Sequence, residues 1–125
     1  MYFAFADINE ELDFYTPVII GNKDWMAENE EITKAFLSAT AKGYEYAIEN
    51  GEEAADILLE AAPELDEALV KASQEYLNKE YKAEVDQWGY IDPARWNAFY
   101  NWVNANGLAP EEIPENTGFN NSYLE

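Results

Sequence analysis

The sequence predicts a mainly α-helical chain with one or two strands near its N-terminal end. Three observations carry that expectation. Acidic, alanine-rich stretches space their apolar residues three and four apart, the segment after residue 90 carries sharp helix punctuation, and a single β-branched run, "YTPVII", has a proline inside it. At 125 residues the chain has the size of about one ordinary domain. Its 48% hydrophobic content and 15% aromatics, with four Trp and nine Tyr, supply enough apolar surface for a packed core and argue against disorder.

Each element follows from local chemistry. "MYFAFAD" has large residues at nearly every position and predicts a strand over about 2–6, while "INEELD" is a polar turn. "FYTPVIIG" predicts a second strand over about 15–20. Pro17 cannot donate to a ladder, so this strand belongs at a sheet edge, a strand start or a crossing between domains. Asn22 can cap a short helical turn through "KDWMAEN".

The longest helix is expected over about 30–50. Asn29 caps it, Glu30 and Glu31 face the positive end of its dipole, and Asn50-Gly51 stops it. Ile32, Ala35, Phe36, Ala39, Gly43, Tyr44, Ala47 and Ile48 form its apolar stripe. Helices follow near 52–61, ending before Pro63, and near 66–78, with Leu69, Val70, Ala72, Ser73, Tyr76 and Leu77 inward. "KEYKAEVDQWG" predicts one or two weak helical turns. The last helix, near 92–106, has Asp92 as cap, Pro93 at its first position and Gly107 at its close, with Trp96, Phe99, Tyr100 and Val103 as its buried stripe. The tail 108–125 reads as a strap.

The net charge of −19, from 26 acidic and seven basic residues, repels phosphate backbones and anionic lipid surfaces, so nucleic acid is not an expected partner. With no Cys and no His there are no thiol nucleophiles, disulfides, thiolate zinc sites or imidazole bases. Asp56, Glu60, Glu64 and Asp66 cluster in sequence, but Pro63 breaks the helix between them and a solvated face is the expectation. No metal, cofactor or catalytic residue is expected. Trp25, Trp88, Trp96 and Trp102 read as helix-packing anchors. Tyr15 differs, since it precedes a proline at a strand edge, where an aromatic can project into a cleft. Asp13 alternates with it on the same face and Thr16 adds a hydroxyl. That trio suits a flat, nitrogen-bearing ring, which takes stacking and hydrogen bonds.

The strings "DFYTPVII" before a capped helix, "FLSATAKGYEYAIEN" with "EEAADIL", "APELDEALVKASQEYL", then "QWG", "WNAFYNW", "NGL" and the ending "FNNSYLE" carry a family resemblance over nearly the whole chain. The chain resembles the C-terminal segment of ABC-transporter solute-binding proteins of the NMT1/THI5-like family, the group associated with uptake of thiamine-precursor pyrimidines, with relatives for riboflavin and taurine. The resemblance implies an α/β parent fold of the periplasmic-binding-protein-like type II class. In that class two lobes joined by crossing strands close on a solute without a covalent step. Residues 1–21 would be crossing strands near the inter-lobe hinge, 22–107 the helical completion of lobe one and 108–125 a C-terminal strap. The first lobe's opening strands, the second lobe and the export signal would lie outside this chain.

By the same resemblance Tyr15, with Asp13 and Thr16, lies near the inter-lobe cleft, the partners are a small solute (an aminopyrimidine) and an ABC permease, and the parent is extracytoplasmic, a periplasmic or cell-surface lipoprotein. The family's fungal enzymes use an essential histidine and a cysteine-rich motif that this sequence lacks, so catalysis is not expected. Unpaired strand edges would invite a homodimer of the segment. A different class remains open: a stand-alone acidic helical module that binds another protein or itself.

Overall fold

Helices account for all regular structure among the described residues, 4–83 and 85–124, of this computed structural model. Two 3-10 turns, Phe5–Asp7 and Glu10–Leu12, precede five α-helices: α1 (Lys23–Glu28), α2 (Glu30–Glu49), α3 (Gly51–Ala61), α4 (Glu67–Leu77) and α5 (Pro93–Ala105). The chain divides into two units, one built from the residues up to 28 with 91–122, the other from 29–90 with the last residues from 123.

In the first unit three helical starts, those of Glu10–Leu12, α1 and α5, have a side-chain cap. Asn9 accepts from the Glu11 N–H at 3.0 Å, Asn22 from the Trp25 N–H at 2.9 Å and Asp92 from the Ala94 N–H at 2.8 Å, each satisfying an otherwise orphaned donor. Pro93 occupies the first turn of α5, and Gly107, at φ 64°, follows its end. The 3-10 turn Glu10–Leu12 packs on α5. The strap is ordered by three asparagines spaced four and three apart on α5. Asn97 exchanges two hydrogen bonds with Asn116, Asn101 donates to Glu115, and Asn104 bonds both the N–H and the carbonyl of Ile113. Trp96 continues the row by donating to the Thr117 carbonyl at 2.9 Å and packing on Phe119. Gly118, at φ 81°, passes against the Tyr100 hydroxyl where a Cβ would overlap it.

In the second unit α3 packs against both α2 and α4. Ala55 on α3 and Thr33 on α2 are its buried residues among those described. Lys71 ties α4 to α3 through Asp56 at 3.3 Å while also pairing with Glu67 at 3.0 Å. Asp66 caps α4 by accepting from the Leu69 N–H. Two members of the acidic cluster are thus in structural use. The segment after α4 lies on α2 through aromatic contacts: Tyr44 meets Tyr81 edge-on at 4.9 Å and stacks on Trp88 at 4.7 Å.

Several expectations need correction. No strand occurs among the described residues. Residues 2 and 3 of the first expected strand lie outside them, and Phe5–Asp7 is a 3-10 turn instead. Residues 15–20 are irregular, with a cis Thr16–Pro17 bond, and no backbone ladder pairs them among the described residues. β-branched composition supplies a preference for extended chain, but a strand needs a neighbour to bond, and none is present here. Residues 79–83 and 85–89 form turns and bends, not helix, ending at Gly89 with φ 83°. The α4 stripe is also turned outward. Leu69 is 66% exposed and Tyr76 62%, while Val70, Lys71 and Gln74 are the half-buried positions. On α2 the first half of the stripe, Ile32 and Phe36, faces solvent and only Tyr44, Ala47 and Ile48 are half-buried. Periodicity marks an apolar face, and which element covers that face is a non-local matter.

Candidate functional site

The first turn of α5 gathers the candidate site. Asp92 uses its carboxylate to cap the helix, so its own backbone N–H points away from the helix, and that N–H donates to the Tyr15 hydroxyl at 2.9 Å. Arg95, two residues inside the helix, reaches back along residues 13–15. Its Nε donates to the Asp13 carbonyl at 2.8 Å, its Nη2 to the Asp13 carboxylate at 2.7 Å, and its guanidinium carbon sits 4.2 Å from the centre of the Tyr15 ring. Phe14 points the other way and stacks on Phe99 at 4.6 Å, one turn further along α5. The alternation expected for Asp13 and Tyr15 is therefore realised: both meet one arginine, and the residue between them enters the aromatic packing.

This geometry settles what Tyr15 has left to offer. The phenol oxygen already accepts the Asp92 N–H, so its proton is the group left to donate. The guanidinium lies over the ring, and Trp96 approaches at 6.3 Å between centroids with 30° between planes. The Arg95–Asp13 pair is 37% and 54% exposed, so its Coulomb energy is largely screened and its value lies in geometry. The cation–aromatic contact adds roughly 0.5–1 kcal/mol at such an exposed position. Thr16 is exposed beside this cluster and is not drawn into it.

Arg95 and the Asp92 amide are the groups that sequence reasoning passed over. A signal existed for the first. Arg95 is the single arginine in a chain whose other cations are lysines, and it stands in the first turn of the best-capped helix. A planar, forked donor is needed where two acceptors and a ring must be met at once, which lysine cannot do.

Two surface concavities lie in the second unit. The larger, about 450 Å³, is open and lined by Glu49, Glu52, Glu53 and Asp56 among others. The smaller, about 210 Å³, runs beside Trp88, Ser38 and Lys42 and is below the roughly 300 Å³ at which small-molecule sites usually begin. Neither contains Tyr15.

Residues 1–54, which include Asp13, Tyr15 and Thr16, match the family model described as "NMT1/THI5 like", so the resemblance read from the sequence to this class of solute-binding, thiamine-precursor proteins is borne out. The likeness implies a periplasmic-binding-protein-like fold. Among curated proteins, the chain is similar to the formylaminopyrimidine-binding protein of Halalkalibacterium halodurans, at 26% identity over 106 residues, covering 82% of this chain and 32% of that protein. The chain thus spans about a third of the length of the curated relative it matches.

Proposed function

We propose that this chain contributes one part of an extracytoplasmic solute-binding protein that captures an aminopyrimidine thiamine precursor, of the formylaminopyrimidine or hydroxymethylpyrimidine kind, and hands it to an ABC permease. Capture proceeds by lobe closure with no covalent step, so the role is binding and not catalysis. In this reading residues 1–21 lie near the inter-lobe hinge, 22–107 complete one lobe, and 108–125 strap it. Asp13, Tyr15 and Thr16 stand on the cleft wall. The observation that carries the reading is the fixing of Asp13 and Tyr15 by α5 inside the segment that matches the family. An acid and a hydroxyl donor held side by side complement the amino group and ring nitrogen of an aminopyrimidine.

Calorimetry tests it on the protein expressed from its complete reading frame. Hydroxymethylpyrimidine or formylaminopyrimidine should bind with Kd of about 1 μM or tighter, against no measurable heat with riboflavin or taurine. Tight binding of riboflavin or taurine in place of a pyrimidine would overturn the solute assignment.

A second reading draws on one observation, the exposure of Ile32, Phe36, Leu69 and Tyr76 along α2 and α4. Apolar faces of this kind mark protein contacts. In that reading the chain is an acidic helical interaction module, and a homodimer is its simplest closed form. Light scattering at low and moderate salt separates the two: a concentration-independent monomer in both conditions removes the self-association form of the second reading.

A further inference from the structure

The geometry points to Arg95 as the positioning residue of the candidate site: it fixes Tyr15 so that the tyrosine offers a solute its hydroxyl proton and not an open ring face. This inference rests on the proposed pyrimidine site and adds what holds it in shape and how it selects. Residues 13–16 have no ladder of their own, and without an external hold Tyr15 would sample several rotamers. Arg95 supplies that hold at three points, the Asp13 carbonyl, the Asp13 carboxylate and the Tyr15 ring, over a sequence separation of about 80 residues. Two of these fix the backbone and side chain of Asp13, and the third fixes the plane of the ring. The Asp92 N–H then sets the direction of the remaining phenol proton, because a hydroxyl whose oxygen accepts from one side donates to another. A site so arranged selects rings that present an unprotonated acceptor, a ring nitrogen or carbonyl, over carbocycles of the same shape. Binding driven by stacking on Tyr15 would not make that distinction.

The test uses the protein from its complete reading frame, labelled with fluorotyrosine, with the Tyr15 signal assigned through Tyr15→Phe. In the unsubstituted protein the Tyr15 fluorine resonance should be single and displaced from that of free fluorotyrosine. Arg95→Met, which keeps the apolar stem, should return it toward the free value while helical circular dichroism is retained. Arg95→Lys should fail to restore it, since an ammonium can pair with Asp13 but presents no plane to the ring. In calorimetry, Arg95→Met should weaken hydroxymethylpyrimidine about tenfold while the protein stays folded, and Tyr15→Phe should weaken it by a similar factor. An undisplaced Tyr15 resonance in the unsubstituted protein, an unaltered one in Arg95→Met, or full affinity in either variant would overturn the inference. Absence of any pyrimidine binding by the unsubstituted protein would instead sink the proposed function, and the fluorine signal would still decide whether Arg95 positions Tyr15.

Discussion

The side-chain amide of Asn121 pairs with both backbone groups of Ile91, accepting from its N–H at 3.0 Å and donating to its carbonyl at 2.8 Å. An amide side chain here stands in for a strand neighbour, satisfying the residue that leads into α5 and tying the strap's far end to the helix's entrance.

Removing that pairing has a definite cost. Asn121→Ala leaves two half-buried backbone groups without their partner and should lower stability by about 1–2 kcal/mol. For a unit of this size that corresponds to a fall of roughly 4–16 °C in melting temperature. Asn121→Asp keeps the acceptor but sets a carboxylate against the Ile91 carbonyl, so it should be at least as damaging. A thermal melt unchanged in both variants would show that the pairing contributes nothing.

The asparagine row on α5 makes a second prediction. Asn104 is bonded to both the N–H and the carbonyl of Ile113, at 2.9 Å each, so Asn104→Leu should free the strap from its centre outward. Amide exchange at Ile113 and Asn116 should quicken by about tenfold or more, while exchange within α5 itself stays slow. Equal acceleration in helix and strap would mean that the substitution had unfolded the unit and not released one segment.

Alkaline pH should weaken the second unit. Lys71 is held above its ordinary 10.5 by hydrogen bonds to Glu67 and then Asp56. Tyr46 is held above 10.0 chiefly by its hydrogen bond to the Glu53 carboxylate, and Tyr81 chiefly by burial, with Tyr44 adding to it. All three folded values lie above the unfolded ones. Their stabilisation is therefore complete below about pH 10 and disappears as pH climbs through the folded values. Urea midpoints should be level from about pH 7 to 9 and fall beyond, with a shallower fall in Lys71→Met. A midpoint that stays constant or rises above pH 10 would contradict the assignment.

The 125-residue chain by itself should not bind a pyrimidine measurably. Tyr15 and Asp13 offer one wall, and a site that leaves most of a ligand's surface in water gains little affinity. Micromolar binding to this chain, abolished by Tyr15→Ala, would show that the wall suffices.

The helices were legible because their ends are written in residue types that act locally. Asn22 and Asp92 cap the helices they were expected to cap, and Pro93 and Gly107 bracket α5 as expected, whereas Asn29 precedes α2 without a side-chain cap bond. Tyr15 and Asp13 were legible as a pair through period-two alternation. Their dependence on Arg95 was not, because no local rule links residues 82 apart. The same holds for Asn97, Asn101 and Asn104, whose partners in the strap lie 19, 14 and 9 residues away. The run 15–20 shows the converse. Its composition suits a strand, yet a strand exists only where a second backbone meets it, and among the described residues none does.

The reach from Asp13 to Arg95 also sets an order of events during synthesis. The second unit is nearly continuous in the chain, so its helices can form as residues 29–90 emerge from the ribosome. Asp13, Phe14 and Tyr15 are made before their partners and must wait for Arg95, Phe99 and the Asp92 amide. At ~5–20 residues per second that interval is roughly 4–16 s. Throughout it the aromatic segment stands without its dock while the helices within residues 29–90 emerge. Residues 13–15 are therefore open to chaperones and proteases during that interval, and translation through the Asp92–Phe99 stretch is the moment that exposure ends.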